Sequence, residues 1–298
     1  MPALADLVRP YAGITLTDSK TLFPDAQGTG LPLIRIDTDL CQAVVAPQGA
    51  QLLSFTKADG TPLLWLSPQC QFEPGKALRG GVPICLPWFG PHPDENKPQH
   101  GFARTSDWAL TQVAQADNGR SELWFELEHP GDERFTQPFK AALRMVLGQT
   151  IELELSLTNH DSQSADFTWA LHSYLPVQTL SDVRVPVLAG RDYLDNLQNH
   201  ARLTQSGPLT FSGEVDRVFP DVESEVTLEP TPRLRLSHEN CPSLVTWNPG
   251  AEKASAMGDM GEGNEQGFVC LERGAVLDEG WTLAPGETRS GKVTISAV

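Results

Sequence analysis

The stretch IELELSLT, residues 151–158, alternates without a break. Ile151, Leu153, Leu155 and Leu157 take one side; Glu152, Glu154, Ser156 and Thr158 take the other. An extended chain sends successive side chains to opposite faces, so a period of two predicts a strand with one buried and one wet face. Upstream, Leu123, Phe125 and Leu127 alternate with Glu122, Trp124, Glu126 and Glu128 in the same way. RLRLS (233–237) and GKVTISAV (291–298) repeat the pattern. DLCQAVVAPQGAQLLSFTKADGTPLLWLS (39–67) reads as strand, turn, strand, an Asp-Gly turn at 59–60, and a third strand.

Helical periodicity is scarce. YLDNLQNHARL (193–203) is the best short candidate for a helix. The strand-turn rhythm otherwise fills the chain, and no linker or composition shift cuts it. The reading is all-β: one large antiparallel β-sandwich domain over residues 1–298.

Composition agrees. The chain has 298 residues, enough for a sizeable core, and 40% hydrophobic against 20% charged residues suits a globular protein. Its 25 glycines and 24 prolines are spread along the chain, as turns between short strands require. A formal charge of -16 repels nucleic-acid phosphates and anionic lipid, so neither is an expected partner. An anionic metabolite would need a locally basic pocket. The five cysteines form no C-x-x-C pair, which argues against a disulfide framework or zinc ribbon and fits a reducing compartment. The first twenty residues show no apolar signal core, and no segment approaches the ~20 apolar residues of a membrane span. A cytoplasmic monomer is expected.

Two long loops break the rhythm, at 79–104 and 247–274, and long loops in compact domains are often functional. Arg79-Gly80-Gly81 permits a tight turn or close approach of a ligand to backbone. PQHGFAR (98–104) gathers Gln99, His100 and Arg104, which suit sugar hydroxyls and an anion, although a solvated loop explains them equally. His172 lies in apolar company, where a satisfied core histidine is the plainer reading. Asp216 and Arg217 read locally as a surface ion pair. Glu272 ends a run of strand character and points either inward, at a cost, or outward. His92 and His100 are poorly spaced for a metal, no H-E-x-x-H occurs, and G-x-S-x-G is missing.

Together, RGGVPICLPWFGP, PQHGFAR, LHSYL, EVDRVF, VTWNPGAEKASAMGDM and FVCLERG stand in a family's order and approximate spacing. From about residue 30 onward the chain resembles the hexose-6-phosphate mutarotases, the glucose-6-phosphate 1-epimerase branch of the galactose-mutarotase-like superfamily. The resemblance implies a β-supersandwich with a cleft on one face, no cofactor, and a phosphorylated sugar as substrate. It implies His172 and Glu272 as catalytic residues, with Arg79, Gln99, Arg104 and Asp216 binding substrate and His100 a further sugar contact. Two departures bear on the substrate rim: Arg273 stands where the family has proline, and GEGNEQG (261–267) replaces a more acidic stretch.

Anomer exchange needs a base for the C1 hydroxyl proton and an acid for the ring oxygen. Glu272 is assigned as base. His172 is assigned as acid, with its pKa near or above neutral and Asp216 helping to keep it protonated. The two are expected to face each other without touching, the sugar lying between them. Competing readings are a mutarotase for neutral aldoses, a non-catalytic carbohydrate-binding module, and a glycoside hydrolase with paired carboxylates.

Overall fold

The computed structural model describes residues 3–223, 225–230 and 233–298. The alternating stretch forms the strand Ile151–Asn159, with Ile151, Leu153, Leu155 and Leu157 all buried. It lies fourth in a seven-stranded antiparallel sheet, ordered Val226–Leu228, Leu234–Glu239, Thr288–Ala297, Ile151–Asn159, Phe139–Leu147, Ser121–His129 and Ala109–Gln115. On its outer face, cross-strand charges pair: Arg144 meets Glu122 at 2.7 Å, and Lys292 meets Glu152 at 3.1 Å. The period of two therefore serves both faces, apolar inward and ion-paired outward.

A second sheet packs against the apolar face. Its path runs Ala201–Thr204, Asp192–Asp195, Val215–Phe219, Ser243–Asn248, Phe268–Ala275, Trp169–Leu171 and Ile84–Cys85, with Tyr174–Pro176 also paired to Phe268–Ala275. The contact is close. A Cβ on Gly291 of the first sheet would sit 2.6 Å from the Trp169 indole of the second. Only glycine lets the indole in there. One continuous apolar cluster joins Phe125 and Leu155 of the first sheet to Trp169, Leu171 and Leu271 of the second. A four-stranded sheet (Ile14–Asp18, Pro32–Asp37, Cys41–Ala46, Gln51–Lys57) and a two-stranded pair (Ala165–Phe167 with Trp281–Leu283) complete the layers.

Two expectations fail. Residues 193–203 are not helical: Asp192–Asp195 and Ala201–Thr204 form a hairpin around the turn Asn196–Gln198. The Asp195 carboxylate accepts from Leu197 N at 3.0 Å, and Asn199 and His200 adopt left-handed φ of 52° and 59°, which reverses the chain. Asparagine tolerates that region better than most residues. After the Asp-Gly turn there is no third strand. Only isolated bridges, Thr56 to Pro62 and Leu66 to Gly80, mark the segment. Pro62 has no N–H to give a ladder.

Every residue of Phe268–Ala275 is buried, because both faces of this central strand are covered. Val269 and Leu271 face the sandwich core, while Cys270 and Glu272 take the opposite face. Arg273 goes with the core side, where it is fully buried and donates to the Val222 carbonyl at 2.6 Å. It is not on a substrate rim.

Candidate active site

Sheet register builds the floor of the site. Val218 pairs with Val245, and Val245 pairs with Glu272. Leu171 pairs with Arg273 and Tyr174 with Cys270, so His172, between them, falls opposite Glu272 in the same register. Asp216 pairs with Trp247 and Trp247 with Cys270. Two parallel rows of side chains thus share one face of the sheet. Val218, Val245, Glu272 and His172 of one row and Asp216 and Trp247 of the other line a cavity of about 460 Å³, within the range of roughly 300–1,000 Å³ usual for small-molecule sites.

The two loops supply the walls. Arg79, Gln99, His100 and Arg104 all line this cavity, with His172, Asp216 and Glu272. Every candidate residue is therefore gathered in one place. Gly101, with φ 67°, lets the PQHGFAR segment lie against Leu86: a Cβ there would stand 2.0 Å from the Leu86 carbonyl oxygen. The Phe102 and Ala103 amides both donate to that oxygen, at 3.0 and 3.1 Å. His100 Nδ1 accepts from the Gly90 amide at 3.1 Å, so its Nε2 carries the hydrogen. Burial, with Arg104 and Arg79 nearby, pushes His100 down to about 3 and keeps the ring neutral.

His172 and Glu272 touch, contrary to expectation. Nε2 lies 3.3 Å from Oε1, and both side chains are buried. The reason is register: direct cross-strand neighbours on one face lie close enough to meet. Burial pushes the Glu272 carboxyl well above its ordinary value, and the charge of Asp216 adds to the shift. Burial, with His100, Arg104 and Arg79, drives His172 well below its ordinary value. These causes run against the expectation of an imidazole protonated at neutral pH. Lost solvation, with the charges of Arg104 and Arg79, outweighs one carboxylate. Asp216 bears on Glu272 rather than on His172. Its own pKa is raised by burial, and its Oδ1 accepts from Asn196 Nδ2 at 2.7 Å.

The arginines differ. Arg79 donates Nε to Asp259 Oδ2 at 3.1 Å, with Nη2 in ion-pair contact with the same oxygen at 3.0 Å, and donates Nη1 to the Tyr174 hydroxyl at 3.0 Å. Arg104 donates Nη2 to the Gln99 carbonyl at 2.8 Å. Arg217, by contrast, points away from Asp216 and caps the Tyr193 ring, so the two form no ion pair.

Several lining residues escaped the sequence reading. Asn196, Leu197 and His200 come from the hairpin tip that looked helical; Trp247 comes from the strand Ser243–Asn248, Lys253 from the short helix Gly250–Ala256 that replaces the expected loop, and Met257 from its C-terminal end. None of residues 261–267 lines the cavity. The wider signal was loop composition, which marked both segments without choosing residues. Among the described residues, His172, Cys270 and Glu272 hold possible metal-ligand atoms within 4.8 Å of one another. Burial keeps the Cys270 thiol protonated, and Arg79 and Arg104 line the same cavity, so the chemistry there suits an anion better than a divalent cation.

Residues 32–296 match the family model described as aldose 1-epimerase. A protein of Cenchrus ciliaris named "Putative glucose-6-phosphate 1-epimerase" is 36% identical over 272 residues, covering 87% of this chain and 82% of the relative. One of the same name from Salmonella typhimurium is 37% identical over 250 residues, covering 81% and 82%. The crystal structure of a "putative mutarotase" from Salmonella typhimurium superposes with a TM-score of 0.81 at 33% identity, covering 89% of this chain and 90% of that one. A galactose mutarotase-like protein from Lactobacillus casei, only 18% identical, shares the fold with a TM-score of 0.68 over 89% of this chain and 100% of its own. With its sheets, its cavity and these relatives in agreement, the chain belongs to the aldose 1-epimerase family of isomerases.

Proposed function

We propose that this protein interconverts the α and β anomers of a hexose 6-phosphate, glucose 6-phosphate foremost, by acid-base opening and closure of the ring. The observation that carries the reading is the buried His172–Glu272 contact on the floor of a cavity walled by two arginines. A buried ionisable pair is costly and weak as a source of stability. Acid-base chemistry gives it a purpose, whereas a non-catalytic sugar-binding module would have none for it.

The proton inventory fits. A pair holding one proton exists either as imidazolium with carboxylate or as imidazole with carboxylic acid. In the first form Glu272 takes the C1 hydroxyl proton while His172 protonates the ring oxygen. The C1–ring oxygen bond breaks, C1 becomes the aldehyde carbon, and the pair is left in its second form. Rotation about C1–C2 exchanges the faces of the carbonyl, and closure returns both protons. Burial disfavours separated charge and so tilts the pair toward the form reached on ring opening. The sugar enters by parting the 3.3 Å contact.

Arg104 and Arg79 grip the 6-phosphate through charge-assisted hydrogen bonds, with Gln99 beside them. His100 donates from Nε2 to a sugar oxygen, and Asp216 accepts from a hydroxyl. The names of the curated relatives support the phosphorylated substrate. The test is NMR exchange between the anomers of glucose 6-phosphate, set against glucose and galactose. Enzyme-dependent exchange of the phosphorylated sugar at the highest kcat/KM is expected. Exchange of the neutral sugars alone would overturn the phosphate assignment.

A further inference from the structure

Tyr174 links the phosphate wall of the cavity to its acid. It lies two residues beyond His172 on the same face, and the two rings stack, with centroids 4.8 Å apart and planes within 11°. Trp247 stands edge-on to both, at 5.7 Å from His172 and 6.1 Å from Tyr174. Tyr174 is 1% exposed and packs among the rings of His172, Trp247 and Phe268. The tilt of the imidazole is therefore set by the tyrosine face behind it and the indole edge beside it.

The far end of Tyr174 is held by one group. Its hydroxyl accepts from Arg79 Nη1 at 3.0 Å, and the same guanidinium is anchored by Asp259 on its other side. These contacts leave part of the five-donor guanidinium fork for a ligand. Arg79 thus belongs to two systems at once: the cavity wall and the support of the His172 ring.

We infer that Tyr174 is a positioning residue that couples phosphate recognition to catalysis: a phosphate held on Arg79 fixes the guanidinium, the guanidinium fixes the Tyr174 hydroxyl, and the stacked ring sets the plane of His172. The inference rests on the 6-phosphate reading above. Its consequence is kinetic. Binding energy gained remote from the reacting atoms is realised at the acid, so the phosphate raises kcat and does not merely lower KM. An unphosphorylated hexose leaves Arg79 held by protein groups alone, and His172 correspondingly less well aimed.

The test compares wild type with Tyr174→Phe, which keeps the stacked ring and removes the hydroxyl. In the variant, the ratio of kcat on glucose 6-phosphate to kcat on glucose should fall about tenfold to a hundredfold, the scale of a small misplacement of a catalytic group. KM for the phosphorylated sugar should move much less. In wild type, inorganic phosphate added at constant ionic strength should accelerate enzymatic exchange of glucose, after the enzyme-free rate is subtracted. Tyr174→Phe should lose that acceleration. Asp259→Asn, which loosens Arg79 from the other side, should lower the same ratio and serves if the tyrosine variant does not fold. Equal losses on both sugars, or undiminished phosphate activation in Tyr174→Phe, would overturn the coupling. A wild-type enzyme inert toward glucose 6-phosphate would instead overturn the substrate reading.

Discussion

Among the described residues, Arg104 donates a single side-chain hydrogen bond, to a neutral carbonyl, whereas Arg79 has its charge answered by Asp259 at 3.0 Å. Arg104 is thus the stronger candidate for the phosphate. Arg104→Ala should weaken binding of glucose 6-phosphate by about 1.5–3 kcal/mol per lost charged hydrogen bond. The KM for that substrate should rise well beyond any change for glucose, in steady-state assays of both sugars. At the His172–Glu272 pair, the direction of the shifts sets the pH profile expected of the proposed chemistry. Adding a second proton to the pair makes it cationic, and burial with the arginines opposes that until well below the ordinary histidine value of 6.5. Removing its one proton makes it anionic, and burial opposes that until well above the ordinary glutamate value of 4.5. Both limbs belong to the pair and not to either residue. The acid-side loss of activity should therefore come well below the ordinary histidine value, once the substrate phosphate's own ionisation near about 6 is corrected for. An acid limb centred at the ordinary histidine value would contradict this account of the pair.

At the level of elements, the site depends on how closely the two main sheets meet. Gly291 admits the Trp169 indole, and an alanine there would bring its Cβ to 2.6 Å from the ring and 2.9 Å from Cys241 Sγ. Gly291→Ala should destabilise the protein by about 1–3 kcal/mol, the usual scale of overpacking, read as a lower urea midpoint. An unchanged midpoint would mean that the sheets yield more readily than their packing suggests. The strands themselves were legible because a half-buried strand writes its two faces into alternate residues, as Ile151 to Thr158 do. Their pairing was not. Nothing local in LHSYL or FVCLERG tells that His172 lies across from Glu272, because register is settled by strands remote in sequence. That is why the motifs pick out residues that share one cavity, while the gap expected between His172 and Glu272 is absent. The hairpin at 192–204 was misread for a related reason. Its leucines and polar residues fit a helix locally, and left-handed turns at Asn199 and His200 decided otherwise.

Across the whole molecule, one apolar cluster reaches from Val8 to Ile295 and includes residues of both main sheets. We expect it to melt as one unit. Far-UV circular dichroism and tryptophan fluorescence should give coincident thermal transitions, and two separated transitions would argue for independent domains. The acidic surface and the basic cavity wall have complementary roles. A charge of -16 repels anions in general, and on the proposed reading Arg79 and Arg104 in the cavity wall capture the phosphorylated sugar locally. The central claim is that the His172–Glu272 pair supplies the protons for anomer exchange. Glu272→Gln tests it most directly, since it preserves shape and removes the base. With folding verified by circular dichroism, NMR exchange of the glucose 6-phosphate anomers should slow by roughly 10²–10⁴. Exchange by folded Glu272→Gln at the wild-type rate would contradict the claim.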